Sequence, residues 1–183
     1  MMETQALMRN SKRLFVAVNL PVDLKDKIFA AFAPLLDREK FRVVEQDKLH
    51  ITLAFLGNTR VEQIPRIKEA LEQVHLEPFR VELYDIGSFE DRVVFLDVWD
   101  GEKPFNALFR AVANALHLPA TTFHAHITLA RSRGEGLQEL VKDLERLDAA
   151  EFKDYLEVWG FDLMESIPME KGMRYKVLGS FLL

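Results

Sequence analysis

"HITLA" occurs twice in this chain, as His50-Ile51-Thr52-Leu53-Ala54 and as His126-Ile127-Thr128-Leu129-Ala130. The copies begin 76 positions apart (126 − 50) and use two of only five histidines. At average residue usage, a chance five-residue repeat in a chain of this size is roughly a one-in-a-hundred event. The repeat therefore predicts two similar strands doing similar work. Side chains alternate along a strand. By that count His50, Thr52 and Ala54 share one face, and Ile51, Leu53 and Phe55 share the other. The second copy sets His126, Thr128 and Ala130 against Ile127 and Leu129. The apolar face packs on helices, which assigns Phe55 to the core. The face of imidazole, hydroxyl and methyl suits a polar cleft, where the small alanine leaves room for a ligand.

Working outward, "RLFVAVNL" (13–20) reads as a buried strand ended by Pro21, and Leu24, Ile28, Phe32 and Leu35 make a helical stripe. "FRVV" is a short strand, and "KLHITLAFLG" is a strand ended by Gly57. Helical spacing returns at Ile64, Ile67, Leu71 and Val74. Thr59 and Glu62 have capping-box spacing, so this helix either kinks at Pro65 or starts beside it. "FRVELYDI" and "RVVFLDVW" form a hairpin turned within 87–91. A third helix carries Phe105, Leu108, Val112 and Leu116 inward. The second HITLA strand follows, then a fourth helix striped by Leu137, Leu140, Leu144 and Leu147, then two tail strands, "YLEVWGFDLM" and "RYKVLGSFLL". No linker divides the chain. The expected architecture is α+β: two pseudo-symmetric lobes, each an antiparallel sheet backed by helices, with the site in the groove between the sheets. Residues 1–12 are expected as a flexible N-terminus and 13–183 as one two-lobed domain.

Composition narrows the function. The chain has 183 residues, 29% of them charged, and a formal net charge of −5. That argues against a protein that coats nucleic acid, but allows one that reads an RNA end through a local basic groove. The absence of cysteine removes disulfides, thiol catalysis and cysteine-ligated metal. No apolar run is long enough to span a bilayer, and the N-terminal residues lack a secretory pattern, so the expectation is a cytoplasmic protein. His75 and His117 fall at helix ends, where a cation suits the dipole.

Two lobes related by a pseudo-twofold axis would bring two histidines and two threonines around one point. Histidine exchanges protons near neutrality. Two of them flanking one phosphorus can serve as acid and base for an in-line displacement, while the hydroxyls hold the non-bridging oxygens. No cofactor or metal is required.

Paired "HITL" motifs at this spacing resemble the two-histidine (2H) phosphoesterase superfamily. The flanks "RLFVAVNLP", "LHITLAFLG", "HITLAR" and "GMRYKVLGSFLL" look like one branch, the RNA 2′,3′-cyclic phosphodiesterases, also called 2′-5′ RNA ligases. The resemblance covers residues 13–183. It implies a metal-free cyclic phosphodiesterase, with His50 as proton donor, His126 as proton acceptor, and Thr52 and Thr128 holding phosphate. One departure is "FHAHITL", where Ala125 stands at a position at which the branch has proline. The implied substrate is RNA with a 2′,3′-cyclic phosphate end, or a small cyclic nucleotide, opened to a 2′-phosphomonoester by a monomeric enzyme. Reversal would give 2′-5′ ligation. Lys48, Arg131, Arg133 and Arg174 are candidates to hold RNA phosphates, although alternation puts Arg131 opposite His126 unless the strand ends there. Two alternatives stand beside this reading. One is a metal-dependent phosphoesterase using His50, His124 and His126; the other is a non-catalytic RNA-end binding module.

Overall fold

The computed structural model describes residues 10–89, 92–119, 121–134, 152–170 and 172–183. Strand β1 (Ser11–Asn19) leads into helix α1 (Val22–Phe32), then β2 (Phe41–Val43) and β3 (His50–Arg60). Helix α2 (Ile64–Leu71) precedes the hairpin of β4 (Phe79–Phe89) and β5 (Val93–Trp99). Helix α3 (Glu102–Ala115) and β6 (His126–Ser132) follow, and the chain closes with β7 (Asp154–Val158), β8 (Gly160–Pro168) and β9 (Met173–Leu182). The fold is α+β, as the repeat predicts. The fourth expected helix, and residues 1–9 of the expected flexible terminus, lie outside the described residues. Among the described residues regular structure begins at Ser11, two residues before the boundary read from sequence.

All nine strands among the described residues belong to one sheet, in the order β7-β4-β5-β6-β3-β1-β8-β9, with β2 added along β6. The two HITLA strands are therefore neighbours at its middle. Four strands on each side correspond to the sheets expected of the two lobes, here joined into one: β3, β1, β8 and β9 with the first copy, and β6, β5, β4 and β7 with the second. The halves meet at a single antiparallel ladder pair, Ile51–Ile127. By contrast the β1–β3 ladder runs from Ser11–Arg60 to Asn19–His50.

One face of this sheet makes the core. Ile51, Leu53, Ile127 and Leu129 pack in one cluster with Leu24, Ile28 and Phe32 of α1 and Phe105, Leu108 and Val112 of α3. Each fully buried Leu, Ile or Phe contributes about 1.5–3 kcal/mol, so this two-layer packing is what fixes the strands. The opposite face carries the histidines.

One open alternative is decided and three local expectations are corrected. Helix α2 starts at Ile64 with Pro65 in its first turn, where proline's fixed φ is tolerated. The backbone N–H of Arg60 donates to Gln63 Oε1 (3.2 Å), so the reciprocal spacing sits one residue beyond Thr59 and Glu62. Gly87 lies inside the β4–β5 ladder opposite Phe95, not in the turn. The apparent single strand "YLEVWGFDLM" is two strands, broken at Trp159. Strand β7 pairs with β4 at one end of the sheet, and β8 pairs with β1 in the other half. Among the described residues no helix is long and apolar enough to cross a membrane.

Candidate active site on the doubled strand

Simple alternation fails at the same place in both copies, and the failure builds the site. Against β1, Val16 pairs with Ala54 and Ala17 with Thr52, which leaves Leu53 as an extra residue. Against β5, Val94 pairs with Ala130 and Phe95 with Thr128, which leaves Leu129 extra. An extra residue is a β-bulge, and it turns two successive side chains to one side. Leu53 and Ala54 are both buried, as are Leu129 and Ala130. The next residue then returns to the histidine face. Phe55, expected in the core, is 72% exposed and lines the cleft. Arg131, expected to point away, lines it too. The cleft-facing surface of each copy thus reads His-x-Thr-x-x-Phe or His-x-Thr-x-x-Arg.

The antiparallel register at Ile51–Ile127 puts Thr128 across from His50 and His126 across from Thr52. The imidazoles therefore occupy opposite corners of a four-residue square. Each is oriented the same way. His50 Nδ1 lies 2.7 Å from the Lys48 carbonyl, and His126 Nδ1 lies 2.8 Å from the His124 carbonyl. A carbonyl oxygen only accepts, so Nδ1 must carry hydrogen and donate it. In the neutral ring Nε2 is then left as a base. His50 Nε2 stands 2.9 Å from Thr52 Oγ1.

The flanking strands distinguish the two rings. In the ladder Asn19 faces His50, whereas Asp97 faces His126. Phe15 and Tyr175 wall the His50 ring, with centroids 5.2 and 5.4 Å away. Phe89 and Phe95 wall His126 at 4.9 and 5.3 Å. Gly87 makes room for Phe95, since a Cβ there would sit 2.4 Å from its ring. Burial is the main cause that pushes both imidazoles below the ordinary histidine pKa. The bonds to the Lys48 and His124 carbonyls oppose it. Positive neighbours reinforce it: Lys25, His126 and Arg131 around His50, and His124 and Arg131 around His126. Asp97 pulls His126 the other way.

The cleft has two compartments, of about 580 and 560 Å³. Thr52, Phe55, Thr128 and Arg131 line both. His50 opens on the first, together with Arg13, Arg42, Lys48 and Tyr175. His126 opens on the second, with His124 and Phe123. Of the four basic residues singled out from the sequence, Lys48 and Arg131 line the cleft and the other two do not. Arg133 is exposed beyond β6, with its N–H donated to Lys40 O. Arg174 is exposed between Met173 and Tyr175, which take the cleft side of β9. Arg13 and Arg42 were missed. Arg42 pairs with Arg131 across β2 and β6, and because only the fold makes them neighbours the sequence carried no signal for it.

The metal alternative finds no donor set. His124 Nε2 faces Asp97 Oδ1 at 3.5 Å, and among the described residues no three His, Cys, Asp or Glu side chains gather to hold an ion. His50, His124 and His126 do not form one.

Paired His-x-Thr strands at the centre of a doubled antiparallel sheet define a two-histidine phosphoesterase. The family model described as the 2′-5′ RNA ligase superfamily matches residues 24–159, and the chain belongs to that superfamily. It is 32% identical over 177 residues to the RNA 2′,3′-cyclic phosphodiesterase of Archaeoglobus fulgidus, covering 92% of this chain and 99% of that one. The enzyme of the same description from Escherichia coli is 31% identical over 140 residues, 71% of this chain and 77% of that one. The crystal structure of Escherichia coli LigT complexed with phosphate superposes with a TM-score of 0.76 at 25% identity, covering 95% of this chain and 98% of that one.

Proposed function

We propose that this chain hydrolyses RNA 2′,3′-cyclic phosphate ends to 2′-phosphomonoesters, using His126 as general base and His50 as general acid. The observation that carries the mechanism is the pair of Nε2 atoms, each freed for proton transfer by an Nδ1–H anchored on a backbone carbonyl. Neutral His126 takes a proton from water as its oxygen attacks phosphorus. The imidazolium that results is stabilised by Asp97 across the ladder, the role an anionic partner plays beside a catalytic histidine. His50 faces the neutral Asn19 instead, so it keeps its proton less firmly and gives it to the departing 3′ oxygen. Thr52 and Thr128 hold the non-bridging oxygens, and Arg131, shared by both compartments, offsets their charge. Arg13, Arg42 and Lys48 hold the phosphates further along the RNA. That Escherichia coli LigT has been solved with phosphate and with 3′-AMP supports a nucleotide-sized occupant. The reading extends to residues 13–183 as one domain, working as a cytoplasmic monomer on RNA ends or small cyclic nucleotides.

The test is incubation with 2′,3′-cyclic AMP and with a short RNA bearing the cyclic end, followed by phosphorus NMR of the product. The expected product is the 2′-phosphate. A 3′-phosphate would reverse the assigned acid and base, and binding without turnover would favour the RNA-end binding module.

A further inference from the structure

We infer that Lys25, on α1 and outside the cleft, is a positioning residue for the general acid: it holds the turn that anchors the His50 imidazole and sets a fixed positive charge behind it. The inference rests on the reading of His50 as that acid. Among the described residues Lys25 lines neither compartment of the cleft; it opens on a separate groove with Val22, Glu45, Gln46 and Asp47. It therefore acts on the chemistry through His50 and not by touching substrate.

The mechanical link is a short chain of bonds. The Lys25 ammonium donates to the Asp47 carbonyl at 3.0 Å. The next carbonyl along, that of Lys48, accepts the Nδ1–H of His50 at 2.7 Å. Gln46, in the same short turn (Gln46–Lys48), donates from Nε2 to the Asp26 carboxylate. Two successive residues of α1 thus grip the turn from which β3 sets out. The helix that carries them is itself fixed, since Leu24 and Ile28 are buried on its inner face. An unpaired lysine would extend its ammonium into water. Lys25 instead lies half-buried against a backbone carbonyl.

The electrostatic link follows from what faces His50. Strand β6 supplies His126 and Arg131, and β9 supplies the phenol of Tyr175. Strand β1 supplies the amide of Asn19, which donates to the Asp162 carboxylate of β8 at 2.6 Å. Arg13, Arg42 and Lys48 line the same compartment. Burial is the main cause that lowers the His50 pKa, and Lys25 acts in the same direction. Burial also lowers the pKa of Lys25, while Asp47 and Asp162 oppose that and favour its charged form. The second copy is built the opposite way. The charged groups acting on His126 are His124, Arg131 and the anion Asp97, and Lys25 is not one of them. A cation behind His50 and a carboxylate behind His126 bias the proton in one direction, off the acid and onto the base. Lys25 therefore addresses one limb of the pH profile only.

The experiment compares three variants at this position. Lys25→Met keeps the length of the chain and removes both bond and charge. Lys25→Gln removes the charge and keeps a donor. Lys25→Arg keeps both. For each, kcat/KM on 2′,3′-cyclic AMP is measured against pH, and the His50 ring is titrated by NMR, its signal assigned by its loss in His50→Ala. In Lys25→Met the basic limb and the His50 titration should move up together by at least about 0.3 pH unit, with the acid limb unmoved. The value of kcat at the optimum should fall at least about threefold, the effect of a loosened acid. Lys25→Gln should move the limb as far, and Lys25→Arg should restore both quantities. Lys27→Met, which removes a cation from the same helix that pairs with Asp154 at 2.7 Å, should leave the profile unchanged. The position of a limb does not depend on how much of a variant folds. If kcat falls in Lys25→Met while both titrations stay in place, Lys25 is only a tie between helix and turn, and the inference falls while the catalytic reading stands. If the His50 titration moves and the basic limb does not, His50 is not the acid, and the catalytic reading fails and takes the inference with it.

Discussion

In the proposed mechanism His126 must be neutral and His50 charged at the moment of attack, so activity would depend on two residues with opposite requirements. For kcat/KM, which reports the free enzyme, the acid limb is loss of neutral His126 and the basic limb is loss of protonated His50. Burial lowers both pKa values from 6.5. Both limbs therefore move toward acid, and the optimum of kcat/KM should lie on the acid side of 6.5; a measured optimum above pH 7.5 would contradict the assigned groups. The phosphate of bound substrate favours the charged rings, so kcat should peak at higher pH than kcat/KM. His50→Ala and His126→Ala should each lower turnover by about 10²–10⁴-fold, the usual worth of a general acid or base. Thr52→Val and Thr128→Val should be milder and should also raise KM; steady-state kinetics on a cyclic nucleotide separates the two. These four residues were legible because the chain wrote them twice. The anchoring of each Nδ1 on a carbonyl two residues back was not, since it depends on backbone geometry and not on residue type.

The bulge is the element that residue counting could not see. Alternation predicts the faces of a regular strand, and it is right from His50 to Leu53 and from His126 to Leu129. One extra residue then inverts it, which is why Phe55 and Arg131 were placed on the wrong side. A trace of the bulge was present in sequence: each copy follows Leu with a second small apolar residue where a regular strand would return to polar. Ala130 is fully buried in its bulge. Ala130→Leu should cost about 1–3 kcal/mol by overpacking, read as a shift in the urea midpoint. It should also lower kcat, because the displaced bulge carries Thr128 and Arg131 with it. An unchanged kcat in a destabilised variant would separate the bulge from the chemistry. The break at Trp159 was illegible for another reason. Both sides of it carry strand-forming residues, and only distant partners reveal that β7 and β8 belong to different halves.

For the whole molecule, the duplication predicted two lobes and the α+β class, but not how the lobes join, since strand neighbours far apart in sequence leave no local mark. The same non-locality bears on metal dependence, because a three-ligand site must be assembled from distant residues, and among the described residues none is. Activity should therefore survive exhaustive EDTA treatment, and His124→Ala should retain most of it; a chelator-sensitive enzyme that also fails in His124→Ala would restore the three-histidine alternative. The joint itself has a mechanical meaning. The halves share one rung, Ile51–Ile127, and the two cleft imidazoles stand on the residues next to it, about 3.3 Å along each strand. Tweezers pivoted beside their tips behave in the same way: a given rotation sweeps the far arms widely and barely moves the tips. Spin labels at exposed Thr121 and Lys176 should report a changed span when RNA binds, and turnover of a mononucleotide and of an RNA end should be similar; an unchanged span would rule the pivot out. That result would mean that the rims open for substrates of different bulk while the gap between His50 and His126 keeps its width.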